Sequence, residues 1–166
     1  MGLFDKLFKV NEQKLSKLNL SSDEAFIAII FSAIAVDEEI NRDEMKLLGF
    51  ILSKFKGLAS LTPLQFQNLV NRFQKIIKNE GVGNLVAAAK ENLSHDLRAT
   101  AFANAVDLVL SDGILNEQEK EFLENLQKTI SIDDALAEQI INVIVIKNKG
   151  STADIFVDTH ADSMFM

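Results

Sequence analysis

The sequence predicts an all-α domain of about seven helices, and three observations carry that expectation. Apolar residues recur at helical spacing in successive stretches punctuated by capping residues and glycines. The 166 residues are 48% hydrophobic, with 12 Phe and a single Pro, a composition that suits packed helices with little room for low-complexity linker. Most informative is a duplication. The pattern Asp-x-x-(Ile/Leu)-Asn-x-x-Glu occurs as Asp37-Ile40-Asn41-Glu44 and again as Asp112-Leu115-Asn116-Glu119, an offset of 112 − 37 = 75. The same offset pairs Ala28 with Ala103 and Leu48 with Leu123, and apolar residues at 27, 30, 31, 33, 34, 47 and 51 meet apolar residues 75 further on. A helix pair has therefore been repeated within one chain.

The elements follow in order. Leu3, Phe4, Leu7 and Phe8 share one face of a short amphipathic helix over about 2 to 18, which reads as a packing arm or as an interfacial membrane contact. Ser21 or Ser22, with Asp23 and Glu24 behind it, caps a helix through Val36; Asn41 caps the next through about Lys56, closed by Gly57. Thr62-Pro63 opens a helix whose buried stripe is Phe66, Leu69, Val70, Phe73, Ile76 and Ile77, ending at Gly81. Gly81-Val82-Gly83 forms an interhelix break, so Asn84 starts a small-residue helix through Leu93. Ser94 with Asp96 opens a long helix to Leu110, and Asn116 another to about Thr129. Ser131 with Asp134 reads as a capping-box variant for a last helix to Lys149. Its β-branched centre, residues 141–146, is compatible with a strand paired to Ile155-Phe156-Val157, but the Ala135-Leu136-Ala137-Glu138-Gln139 that precedes it favours helix. The expected organisation is an arm at 1–21, a helical domain at 22–149 and a mobile or docking tail at 150–166.

Composition narrows the function. A net charge of −7 disfavours nucleic acid, which needs a Lys/Arg surface to displace phosphate counterions, and favours cations or a protein partner with a basic surface. The absence of Cys removes disulfides, thiolate metal sites and cysteine nucleophiles. No signal-peptide pattern opens the chain, and the longest apolar-rich run, Ala25 to Val36, is shorter than the ~20 residues a bilayer requires, so a soluble cytoplasmic protein is expected. The two histidines, His95 and His160, supply a zinc site poorly, and neither a phosphate loop nor a serine-nucleophile motif occurs. The chain is expected not to be an enzyme.

The repeated junction holds two superposed signals. Asn41 and Asn116 occupy N-cap positions with Glu44 and Glu119 three residues on, the spacing of a capping box, and Ile40 can staple onto Met45 in the first copy. Asp37 and Asp112 are different. They end the preceding helix, where the macrodipole disfavours an anion by about 0.3–1 kcal/mol. Either an Asx-type bond to a backbone N–H compensates, or a cation does, held by carboxylates and free carbonyls in a hard oxygen cage suited to Ca²⁺ or Mg²⁺. The loop is not an EF-hand: Arg42 stands at its glycine position and Leu48 at its terminal glutamate.

At these residues the chain resembles the tellurite-resistance TerB-like family, over about residues 22 to 149. The features that carry the likeness are the segment from Ala35 to Glu44 and the segment from Val109 to Glu119. The second fits the family's Asp-Gly-x-(Ile/Leu)-x-x-x-Glu form; the first departs from it at Glu38, where Gly is usual. The resemblance implies divalent-cation binding, Ca²⁺ above all, with Asp37, Glu44, Asp112 and Glu119 as ligands and Glu38, Glu39 and Glu117 as outer participants. It further implies a module that docks other proteins in metal or chemical stress response. A metal-free adaptor, membrane-peripheral through its arm, is the competing expectation.

Overall fold

The computed structural model describes residues 18–37, 40, 42–111 and 115–149, and of Asp37 only the backbone. Helix α1 (Ser22–Ile34) starts where Ser21 leaves extended geometry: the Ser21 hydroxyl accepts from Glu24 N–H at 3.1 Å and the Glu24 carboxylate accepts from Ser21 N–H at 3.0 Å. This reciprocal box satisfies two donors that a helix start leaves open. The α1 helix runs into a 3₁₀ turn (Ala35–Asp37), and α2 (Arg42–Ser53) follows. Contrary to expectation α2 stops at Ser53, and turns fill the chain to Leu61. Tertiary contacts decide this. Phe55 turns back onto Phe26 with ring centroids 4.6 Å apart, and Gly57 lies so close to α1 that a Cβ there would come 2.7 Å from the Asp23 carboxylate.

Helix α3 (Pro63–Glu80) begins as predicted, with Thr62 and Gln65 forming a capping box and proline in the first turn. Gly81 alone makes the break, at φ 86°, and α4 (Val82–Asn92) starts immediately after it, two residues before the predicted start. Asn84 is inside that helix, buried, its side-chain amide donating to the Glu80 carbonyl across the break. Helix α5 (His95–Val109) starts after Ser94, whose side chain makes no cap bond; its N–H instead donates to the Ser22 hydroxyl at 3.2 Å, tying the starts of α5 and α1 together. Helix α6 (Glu117–Thr129) and α7 (Asp134–Asn148) complete the fold. The cap of α7 is Asp133, accepting from Leu136 N–H at 2.9 Å, and not Ser131, which takes a left-handed φ of 61° in the turn. Residues 141–146 are helical, and no strand occurs among the described residues. Residues 1–17 of the predicted arm (1–21) and the predicted tail at 150–166 lie outside the described residues.

The repeat is visible in the helix ends. The first helix of each hairpin stops at Ile34 and Val109, and the second helix starts at Arg42 and Glu117, each pair 75 positions apart. Between the hairpins α1 packs directly on α5, and the 3₁₀ turn of the first packs on α6 of the second. Helix α1 is the centre of the molecule: every residue from Ala25 to Ile34 is buried, with α4 and α5 as its main neighbours and α2 and α3 also touching it. A helix apolar on all sides must be enclosed on all sides, each fully buried Ile or Phe contributing roughly 1.5–3 kcal/mol. The run Ala87-Ala88-Ala89 gives α4 small side chains where it lies against this core. No described helix is long and apolar enough to cross a membrane.

Candidate functional site

The second junction is built from its caps. At the end of α5 the Ser111 hydroxyl donates to the Leu108 carbonyl at 2.7 Å, and Leu110 N–H to the Val106 carbonyl at 2.9 Å, so the exposed polar end of the helix is partly closed by its own residues. At the start of α6 the Asn116 side chain accepts from Glu119 N–H at 2.8 Å, and the Glu119 carboxylate accepts from Asn116 N–H at 2.9 Å. The capping box read from the sequence is therefore present with Asn as the cap. Glu119 is also only 5% exposed, a depth at which a carboxylate requires hydrogen bonds or opposite charge. Its position in the first turn of α6, at the positive end of the helix dipole, supplies part of that compensation.

At the first junction Ala35 N–H donates to the Phe31 carbonyl as α1 tightens into the 3₁₀ turn. Ile40 and Met45 are both partly buried against the core, as a hydrophobic staple requires. Glu44, the repeat partner of Glu119, is half-buried in the first turn of α2, and next to it Asp43 pairs with Lys46 at 3.1 Å on the surface. Surface pairs of this kind contribute little.

Of the predicted ligands, then, Glu44 and Glu119 lie in equivalent helix starts, and Glu117 is exposed at the first position of α6. Glu38, Glu39, Asp112 and the Asp37 side chain lie outside the described residues, as does the Asn41 cap. Among the described residues no group of three or more His, Cys, Asp or Glu is gathered as a metal site, and His95 is exposed. What the described backbone does establish is proximity of a coarser kind: the turn that ends in Asp37 packs on the helix that Asn116 and Glu119 open. The donor set of the two motifs is entirely oxygen, carboxylate and amide, which fits a hard divalent ion and not a thiophilic one.

Two features carry no local sequence signal. Asp107, on α5, accepts from Lys147 at 2.9 Å and from the Asn148 side chain at 3.0 Å, which latches the end of α7 to α5 across 40 intervening positions. A cleft of about 400 Å³ opens at the start of α1, lined by Asp23, Glu24, Gly57, Gln65, Asn68 and Arg72 among others. Arg72 spans it loosely, 3.9 Å from Glu24 and 3.4 Å from the Asn19 carbonyl. Both arrangements join residues far apart in the chain, so periodicity and capping rules do not reach them.

Comparison with known proteins agrees with this architecture. No curated protein and no solved structure matches the chain. The family model described as "Tellurite resistance protein TerB" matches residues 23–142, which begins at the first turn of α1, takes in both hairpins and ends within α7. The chain, a duplicated helix hairpin with an acidic motif at each turn, belongs to the TerB family.

Proposed function

We propose that this tellurite-resistance-related helical domain is a non-catalytic module that binds a divalent cation, Ca²⁺ first among candidates, at its acidic hairpin turns and docks a protein partner in metal or chemical stress response in the cytoplasm. The observation that supports it is the packing on α6 of the Ala35–Asp37 turn, at whose end the first acidic motif begins, while the second motif opens α6 itself. Asp37, Glu44, Asp112 and Glu119 would hold the ion, with Glu38, Glu39 and Glu117 adding negative charge around it. A bound ion would offset the unfavourable placement of Asp37 and Asp112 at helix C-termini. The net charge of −7 suits a partner with a basic surface.

Thermal unfolding with Ca²⁺, with Mg²⁺ and with a chelator tests the reading. An ion that binds only the folded chain stabilises it by about 2.7 kcal/mol at a concentration of 100 Kd. Unfolding curves that coincide in Ca²⁺ and in chelator would count against it. The second reading, a metal-free adaptor, is favoured by one specific observation: the capping box already gives Asn116 and Glu119 a structural purpose. That reading requires Asn116→Ala to cost about 1 kcal/mol while the ions change nothing.

A further inference from the structure

We propose that α7 is the seam of a two-fold dimer of this chain, two copies of the helix packing antiparallel. The exposed side of α7 is divided by charge. Ala135, Gln139, Asn142 and Ile146 are exposed and uncharged, at successive spacings of four, three and four residues, which is the spacing of a coiled-coil seam. Val143, 62% exposed, flanks that seam on one side, and Ile146 within it is 72% exposed. Glu138 and Lys149, both exposed, flank it on the other side, eleven residues or about three turns apart and so on nearly the same line of the helix.

This pattern is self-complementary only under an antiparallel two-fold axis. In such a pair each flank faces the same flank of the other copy, running the opposite way. Glu138 then meets Lys149 of the partner subunit, and Lys149 meets the partner's Glu138. The axis that makes these contacts passes midway between positions 138 and 149, beside Val143. On the opposite flank the same axis sets Val143 against the partner's Val143, so one geometry satisfies both flanks. Lys147 is not needed for pairing, being held by Asp107 at 2.9 Å. The antiparallel helix dipoles also oppose favourably. Gln139 and Asn142 within the seam fix register at a cost in affinity. Among the described residues the other large exposed apolar side chains do not form a second seam: the Lys54 ammonium covers the Phe50 ring at 4.4 Å, and Leu64 stands in the first turn of α3.

Sedimentation equilibrium of the full chain over a concentration series tests this. The expected result is a reversible monomer–dimer equilibrium that Ile146→Glu weakens about tenfold or more, without a change in thermal stability of the monomer because the side chain is exposed. Glu138→Lys and Lys149→Glu should each weaken the dimer, and the two together should restore it. Phe50→Ser should leave it unaltered. A chain that stays monomeric at every concentration overturns the proposal and leaves the face to residues 150–166 or to a different protein. A dimer indifferent to Ile146→Glu, or charge reversals that add instead of cancelling, overturns it equally.

Discussion

The two hairpins share a sequence pattern and helix ends in register, yet their first helices live in different surroundings. In α1 every residue from Ala25 to Ile34 is buried; in α5 the equivalent stretch leaves Thr100, Ala103, Asn104 and Asp107 half-exposed. The difference comes from what lies between the repeats. Helices α3 and α4 follow the first hairpin and close over α1, whereas only α7 follows the second among the described residues. One repeat position makes the contrast concrete. Ser32 is fully buried, its hydroxyl donating to the Ala28 carbonyl at 2.7 Å, while its counterpart 75 residues on is Asp107, a carboxylate that reaches α7. A duplicated hairpin thus supplies one core helix and one interface helix from a single template, and the chemistry of each position follows its neighbours.

That contrast can be broken from either side. The largest effect is expected for Ser32→Asp, which places an unpaired charge in the core and should cost more than about 4 kcal/mol by denaturant unfolding. Ala28→Leu comes next, overpacking the fully buried side of α1 by about 1–3 kcal/mol, while Ala103→Leu at the equivalent position of α5 should stay within about 0.5 kcal/mol. Equal costs at 28 and 103 would show that the two helices are enclosed alike, contrary to the packing described. Asn116→Ala, removing the α6 cap, should cost about 1 kcal/mol. Smallest is Asp107→Ser, which removes a partly exposed latch and should cost no more than about 1 kcal/mol, with hydrogen exchange rising at the end of α7 and not in α1.

The repeat and the helix starts closed by capping boxes were legible in the sequence because each rests on local chemistry. Thr62-Pro63 with Gln65, and Asn116 with Glu119, state their own hydrogen bonds within four residues. Places decided by distant contacts were not legible. Helix α2 ends at Ser53 because Phe55 and Gly57 turn back onto Phe26 and Asp23, some thirty residues away. Ser131 with Asp134 reads as a capping box, but Ser131 takes a left-handed φ in the turn, Asp133 caps α7, and Asp134 accepts from the Gln127 side chain at 2.7 Å. At the candidate site the capping role of Glu119 was readable, but its burial was not, since that follows from tertiary packing around the start of α6. The sequence did identify Asp37 and Asp112 as anions that capping leaves unexplained, and they remain the part of the motif on which the ion reading turns.

If those two aspartates hold a cation, calorimetric titration of Ca²⁺ into the parent chain and into the Asp37→Asn/Asp112→Asn double variant will separate the two chains. Saturable binding is expected in the parent and its loss in the double variant, with the helical content of both unchanged because the Asn116–Glu119 capping box is intact. Absence of binding in the parent, or equal binding in the two chains, would contradict it.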